Sequence, residues 1–175
     1  MGLPRVTLVL GGARSGKSRF AEALIEQAAQ PAIYLATAEP RDDEMRARIA
    51  AHRARRGGNW TTVEEPIELV NALLAEPVRP VLVDCLTLWL SNLMAAERDI
   101  GFETERLLAT LAQPRAPVVL VANEVGLGIV PDNPLAREFR DRAGRLNQGV
   151  ARAAQRVVFV AAGLPLILKD VALKG

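Results

Sequence analysis

Eight consecutive residues, Gly11-Gly12-Ala13-Arg14-Ser15-Gly16-Lys17-Ser18, have the types and spacing of a phosphate cradle: a glycine, four residues, then Gly-Lys-Ser. Glycines let successive backbone N–H groups turn inward around anionic oxygens, and a helix opening at Lys17 would add its partial positive charge. An ammonium at Lys17 suits the outer phosphates of a nucleoside triphosphate, and a hydroxyl at Ser18 suits Mg²⁺. A second candidate is Asp84, which closes the apolar run Val81-Leu82-Val83. A carboxylate at such a strand end binds Mg²⁺ directly or through water, or else it caps the helix that follows near Leu86. The third is His52, the one histidine of the chain, placed at helical spacing from Met45 and Ile49. Arg48, Arg53, Arg55 and Arg56 flank it, and nearby cations disfavour the imidazolium. His52 therefore reads either as a half-buried packing residue or as a neutral imidazole nucleophile with arginines ready to hold anionic oxygens.

These groups need a frame. Short runs rich in β-branched residues, 6–10, 32–35, 81–83, 118–121 and 157–160, alternate with longer helical patterns. The runs are almost continuously apolar, so helices should cover both faces of a parallel sheet. Helices are expected over 17–29, 42–56, 67–75, 86–111 with a break near Gly101, and 136–154. The triplet Asp42-Asp43-Glu44 marks a helix start and Gly57-Gly58 its end. The expected fold is therefore α/β, a P-loop NTPase of RecA-like type with a mostly parallel central sheet flanked by helices. No repeat, low-complexity tract or linker divides the chain, so residues 1–175 are expected to form one catalytic domain.

Composition narrows the class. Half the residues are apolar, a quarter are charged, and the net charge is only +2. That balance suits an anionic small molecule, whereas a nucleic-acid module would show a basic stripe or interleaved aromatics. The single cysteine, Cys85, cannot form an internal disulfide and fits a reducing compartment. No leader-like segment opens the chain and no apolar run has the length of a membrane span, which points to a cytoplasmic protein without a membrane anchor.

The phosphate cradle is one of several ordered motifs. Others are Tyr34-Leu35-Ala36-Thr37-Ala38, Asp43-Glu44-Met45 leading to Arg48-Ile49 and His52, and Trp60-Thr61-Thr62-Val63-Glu64-Glu65-Pro66. Asp84-Cys85-Leu86-Thr87, the stretch Asn123 to Pro131, and Phe139-Arg140-Asp141 with Gly144 and Asn147 complete the set. Together, over nearly the whole chain, they resemble the bifunctional adenosylcobinamide kinase / adenosylcobinamide-phosphate guanylyltransferase family of cobalamin biosynthesis. The resemblance implies phosphorylation of the hydroxyl on the aminopropanol arm of adenosylcobinamide by ATP or GTP. It further implies transfer of GMP from GTP to a histidine, here His52, and then to adenosylcobinamide phosphate. It assigns nucleotide contacts to Ala36, Thr37 and Ala38, to Arg53, Ala54, Arg55 and Arg56, and to Glu64 and Asp84, with Mg²⁺ on Ser18 and Asp84. Glu64 would read the guanine edge, although a carboxylate there could equally cap a helix or pair on the surface. A homotrimer is also implied. The rival from the residues alone is a P-loop small-molecule kinase without a covalent intermediate, in which His52 is structural. Asn123 and Glu124 are open between ligand contact and loop hydrogen bonding, and Trp60 and Trp89 read as packing residues.

Overall fold

In the computed structural model the described residues are 2–28, 31–39, 57–76 and 78–171. They contain seven strands, β1 (Val6–Gly11), β2 (Ala32–Ala36), β3 (Trp60–Glu64), β4 (Val81–Asp84), β5 (Val118–Asn123), β6 (Arg156–Ala161) and β7 (Leu164–Asp170). The helices among them are α1 (Lys17–Ala28), α2 (Leu69–Ala75), α3 (Leu86–Ala95), α4 (Ile100–Ala112) and α5 (Pro134–Ala153). One sheet takes the strand order β3-β2-β4-β5-β1-β6-β7. Every neighbouring pair is parallel except β6 with β7, which run antiparallel. A mostly parallel sheet with helices packed on both faces is the expected α/β architecture.

The continuous apolar runs are explained by two cores, one on each face. Alternate residues of β1 diverge: Val6 and Leu8 join Leu86, Trp89, Leu90, Leu107 and Leu146 beneath α3, α4 and α5. Val9 instead joins Ala21 and Ile25 of α1, with Tyr34, Leu82 and Val119. A strand buried on both sides has no polar face to show, which is why periodicity two is absent from its sequence. Both tryptophans pack: Trp89 is fully buried and donates its indole N–H to the Ile67 carbonyl at 2.8 Å. Trp60 meets Tyr34 edge to face, ring centroids 6.2 Å apart.

Three differences from the expectations have local causes. The break between α3 and α4 lies at residues 96–99 and not near Gly101: Glu97 takes φ of 52°, and Asp99 caps the new helix by accepting from Phe102 N at 3.0 Å. Gly101 is simply the second residue of α4. The last helix starts at Pro134, two residues before the expected Ala136, because the Asn133 side chain accepts from Leu135 N and Ala136 N and a proline at the first turn loses no bond. Strands β3 and β7, at the two edges, were not among the expected strands. The helix expected over 42–56 falls outside the described residues.

Candidate active site at the carboxyl edge of the sheet

Parallel strands end on one edge, and the register sets the candidate groups there in a row. Glu64 lies opposite Ala36, and Ala36 opposite Asp84. Asp84 is in register with Val121 of β5; two residues on, Asn123 is in register with Gly11, and Gly11 with Val160. Ligands of open α/β sheets bind in the crevice beyond such an edge.

The phosphate loop joins β1 to α1, and its shape needs its glycines at two points. A Cβ on Gly11 would stand 2.5 Å from the Val160 carbonyl oxygen and 2.5 Å from Ser15 Oγ, so no side chain fits. Gly16 has φ of +95° and lies against the Gly163 Cα, which a Cβ would approach to 3.2 Å. Gly163 belongs to the β6–β7 turn, and its N–H donates to the Ser15 carbonyl at 2.8 Å. The hairpin at the end of the sheet thus forms the floor of the loop. Arg14 also takes a left-handed φ of 56°. Lys17 is 8% exposed and its ammonium donates to the Gly12 carbonyl at 2.9 Å, folding back across the loop it serves. Ser15 Oγ is buried without a hydrogen-bond partner among the described residues.

Asp84 is not the cap of the next helix. The residue at that position is Cys85, which makes no side-chain cap bond. The Asp84 carboxylate accepts instead from the Tyr34 hydroxyl, at 2.7 Å, and stays at the sheet edge. Burial, followed by the Asp84 charge, pushes the Cys85 thiol up to about 11, while the charge of Lys17 acts in the opposite sense.

Beside Asp84, the Thr37 side chain is fully buried and committed to backbone. Its hydroxyl donates to the Cys85 carbonyl at 2.7 Å and accepts from Cys85 N at 2.8 Å. Thr37 N donates to the Asp84 carbonyl at 3.1 Å. Asn92, a buried residue of α3 not anticipated from sequence, completes the arrangement. Its amide donates to the Thr37 carbonyl at 2.8 Å and to the Pro66 carbonyl at 3.1 Å, joining the loops after β2 and β3. Glu64 ends β3 in an exposed position, and its neighbour Glu65 accepts from Ile67 N and Glu68 N at 3.1 and 2.8 Å in the turn before α2.

On the other flank Glu124 N donates to the Gly11 carbonyl at 3.0 Å, and Asn123 N to Thr87 Oγ1 at 2.7 Å. The Glu124 carboxylate accepts from Gly126 N at 2.6 Å, which is the loop-bonding alternative for this residue. The structure therefore gathers residues 11–18, Ala36, Thr37, Ala38, Glu64 and Asp84 on one edge. His52, Arg53, Ala54, Arg55 and Arg56 lie outside the described residues.

Residues 7–168 match the family described as "Cobinamide kinase / cobinamide phosphate guanyltransferase". The chain is 49% identical over 166 residues to the bifunctional adenosylcobalamin biosynthesis protein CobP of Pseudomonas aeruginosa, covering 93% of this chain and 96% of that one. It is 45% identical over 179 residues to the bifunctional adenosylcobalamin biosynthesis protein CobU of Escherichia coli, covering 93% and 98%. Among solved structures, the flagellar accessory protein FlaH of Methanocaldococcus jannaschii overlays with a TM-score of 0.51 at 12% identity, covering 97% of this chain and 80% of that one. An ATPase from the type III secretion system of pathogenic bacteria overlays with a TM-score of 0.54 at 11% identity, covering 95% and 57%. Those two likenesses establish the fold alone. With a phosphate loop, a strand-end carboxylate and a family match spanning almost its whole length, this chain belongs to the cobinamide kinase / cobinamide phosphate guanyltransferase family.

Proposed function

We propose that the row of groups from Glu64 to Ser18 serves both half-reactions of the family, with Lys17 carrying the kinase step and His52 the guanylyl step. In the first, the hydroxyl oxygen of the aminopropanol arm of adenosylcobinamide attacks the γ-phosphorus of ATP or GTP, and the nucleoside diphosphate leaves. The residues Gly11, Gly12, Ala13, Arg14, Ser15, Gly16, Lys17 and Ser18 hold the phosphate chain, and Lys17 turns from the Gly12 carbonyl to the transferred group. The orphaned Ser15 hydroxyl supports this reading, since a bound phosphate oxygen would give it the partner it lacks. In the second step a ring nitrogen of His52 attacks the α-phosphorus of GTP. A P–N bond forms, the bond to pyrophosphate breaks, and the phosphate of adenosylcobinamide phosphate then displaces the imidazole to give a diphosphate linkage.

Topology supports a histidine that reaches this site. The segment holding His52 leaves β2 after Ala36, at the ligand edge, and Arg53, Ala54, Arg55 and Arg56 follow it before β3 returns to the opposite edge. Ala36, Thr37 and Ala38 begin that segment; Glu64, in register with Ala36, accepts from the guanine N1–H and amino group in this reading.

Ser18 and Asp84 fit Mg²⁺ by the chemistry of their donors, a hydroxyl and a carboxylate oxygen, both hard. Among the described residues no group of three or more His, Cys, Asp or Glu side chains is placed to hold a metal ion. When bound, Mg²⁺ offsets charge on the departing phosphates.

The working unit is a homotrimer in the cytoplasm, and residues 1–175 act as one domain. Among the described residues no helix is long and apolar enough to cross a membrane. The edge strand β7 supports self-association: Leu164, Leu166, Ile167 and Leu168 are all exposed on it, an apolar sheet edge that isolated proteins avoid.

The observation that carries the proposal is the shared edge of the phosphate loop, Asp84 and the strand leading to His52. Its test is GTP labelled at the α-phosphate, incubated with the chain and Mg²⁺, followed by denaturation. Acid-labile, alkali-stable label that disappears in His52→Asn, with none from γ-labelled GTP, is the expected result. Absence of label on an enzyme that binds GTP would leave a simple kinase with a structural His52.

A further inference from the structure

The loop between β5 and α5 presents Leu127, Ile129 and Val130 to solvent at 83%, 97% and 58% exposure, with Leu135 at 62% just beyond. Such a concentration of large apolar side chains is unusual on a surface and marks a place that something covers. The loop does not hang freely. At one end Glu124 N is bonded to the Gly11 carbonyl, and the Glu124 carboxylate holds Gly126 N. At the other, the Arg137 guanidinium donates to the Pro131 carbonyl at 2.8 Å and to the Asp132 carbonyl at 2.6 Å, and Asn133 caps α5. Between those tethers, among the described residues, nothing pairs with the backbone of Leu127, Gly128, Ile129 or Val130. Apolar side chains therefore alternate with open N–H and carbonyl groups on a platform fastened to the phosphate loop itself.

From this geometry we infer that residues 125–131 form the docking platform for the corrin macrocycle of the acceptor. The inference rests on the activity proposed above. A corrin is a broad, mostly apolar ring fringed by amide side chains, and the platform offers both complements: apolar faces for the ring and free backbone groups for the amides. The phosphorylated hydroxyl sits on an arm of that ring, so the ring must lie beside the phosphate loop, and the Glu124–Gly11 bond puts this platform there. A second copy of the chain is the competing occupant. The native mass of the loop variants separates the two.

The first test is steady-state kinase activity of Ile129→Ser and Leu127→Ser with adenosylcobinamide varied at saturating ATP, beside native mass by light scattering. The expected result is a KM for adenosylcobinamide raised about tenfold or more, from lost apolar burial, with KM for ATP and native mass unchanged. An unchanged KM for the corrinoid overturns the inference, and so does a fall in native mass, which would assign the loop to a subunit contact. A gentler variant gives an independent measure, because the only native thiol, Cys85, is buried. In Ile129→Cys, alkylation by a maleimide should be slowed several-fold by adenosylcobinamide and left unchanged by ATP. Equal rates with and without the corrinoid also overturn it. Turnover by the unaltered chain and its labelling by α-labelled GTP test the activity itself, so failure of the platform and failure of the activity are told apart.

Discussion

Replacing Asn92 with alanine should loosen the nucleotide side of the site while leaving the phosphate loop intact. The amide of Asn92 is buried and serves two carbonyls, Thr37 at 2.8 Å and Pro66 at 3.1 Å. Removing it strands both acceptors away from water, at about 1–2 kcal/mol each, so a total near 2–4 kcal/mol is expected. In a domain of this size each kcal/mol lowers Tm by about 2–4 °C, giving a fall of roughly 5–15 °C. Asn71→Ala is the control. Asn71 donates to Glu68 at 2.9 Å and accepts from Arg106 on the exposed face of α2, where such bonds contribute about 0.5 kcal/mol or less. The functional arm is KM for GTP in the histidine-labelling reaction, which should rise several-fold as the loops after Ala36 and Glu64 lose their shared anchor. A thermal midpoint within about 2 °C of the parent chain would refute the clamp, and so would an Asn71→Ala loss as large as that of Asn92→Ala.

Three further outcomes follow from other parts of the site. Gly11→Ala forces a methyl group to within 2.5 Å of the Val160 carbonyl, a backbone atom that cannot swing aside; a loss of about 1–3 kcal/mol by denaturant titration, with weakened nucleotide binding, is expected. Lys17→Met removes the ammonium from the transferred phosphate and should lower the kinase kcat by on the order of a hundredfold or more, measured by coupled ADP release. Alkaline stability should depend on Cys85, whose thiol is raised from 9.0 to about 11 by burial and by Asp84. Between those values the unfolded chain ionises its thiol while the folded chain keeps its proton, so stability is full below pH 9 and declines as pH rises toward 11. The decline should be smaller by about 1.5–2 kcal/mol in Cys85→Ala, followed by urea unfolding at pH 8.5 and 10.5.

The parts of the molecule that were legible from sequence are those where chemistry and fold make the same demand. The loop at residues 11–18 needs glycines both to approach Val160 and to turn N–H groups toward phosphate, so its pattern is compressed into adjacent positions. The five inner strands are buried on both faces and announce themselves as unbroken apolar runs. The edges were hidden because they obey other rules. Strand β3 alternates half-exposed Trp60 and Thr62 with exposed Thr61 and Val63, and so carries no continuous run. Strand β7 contains Pro165, tolerable only because its outer side pairs with nothing in the sheet. The clamp at Asn92 could not be read at all, since its partners stand 55 and 26 positions away and nothing in the residue itself announces them. The break before α4 was misplaced because Gly101 is the conspicuous breaker, while the cap at Asp99 acts through a single hydrogen bond.

The contact between Gly163 and the phosphate loop also bears on how the chain is made. Strand β1 lies between β5 and β6, so it waits for two strands that are translated much later. The loop itself acquires its floor only when Gly163 emerges and bonds to Ser15. At about 5–20 residues per second the ribosome takes on the order of ten seconds to cover that interval. Throughout it, an apolar strand and a glycine-rich loop are held without their neighbours. The phosphate loop thus leaves the ribosome well before it can reach its working shape.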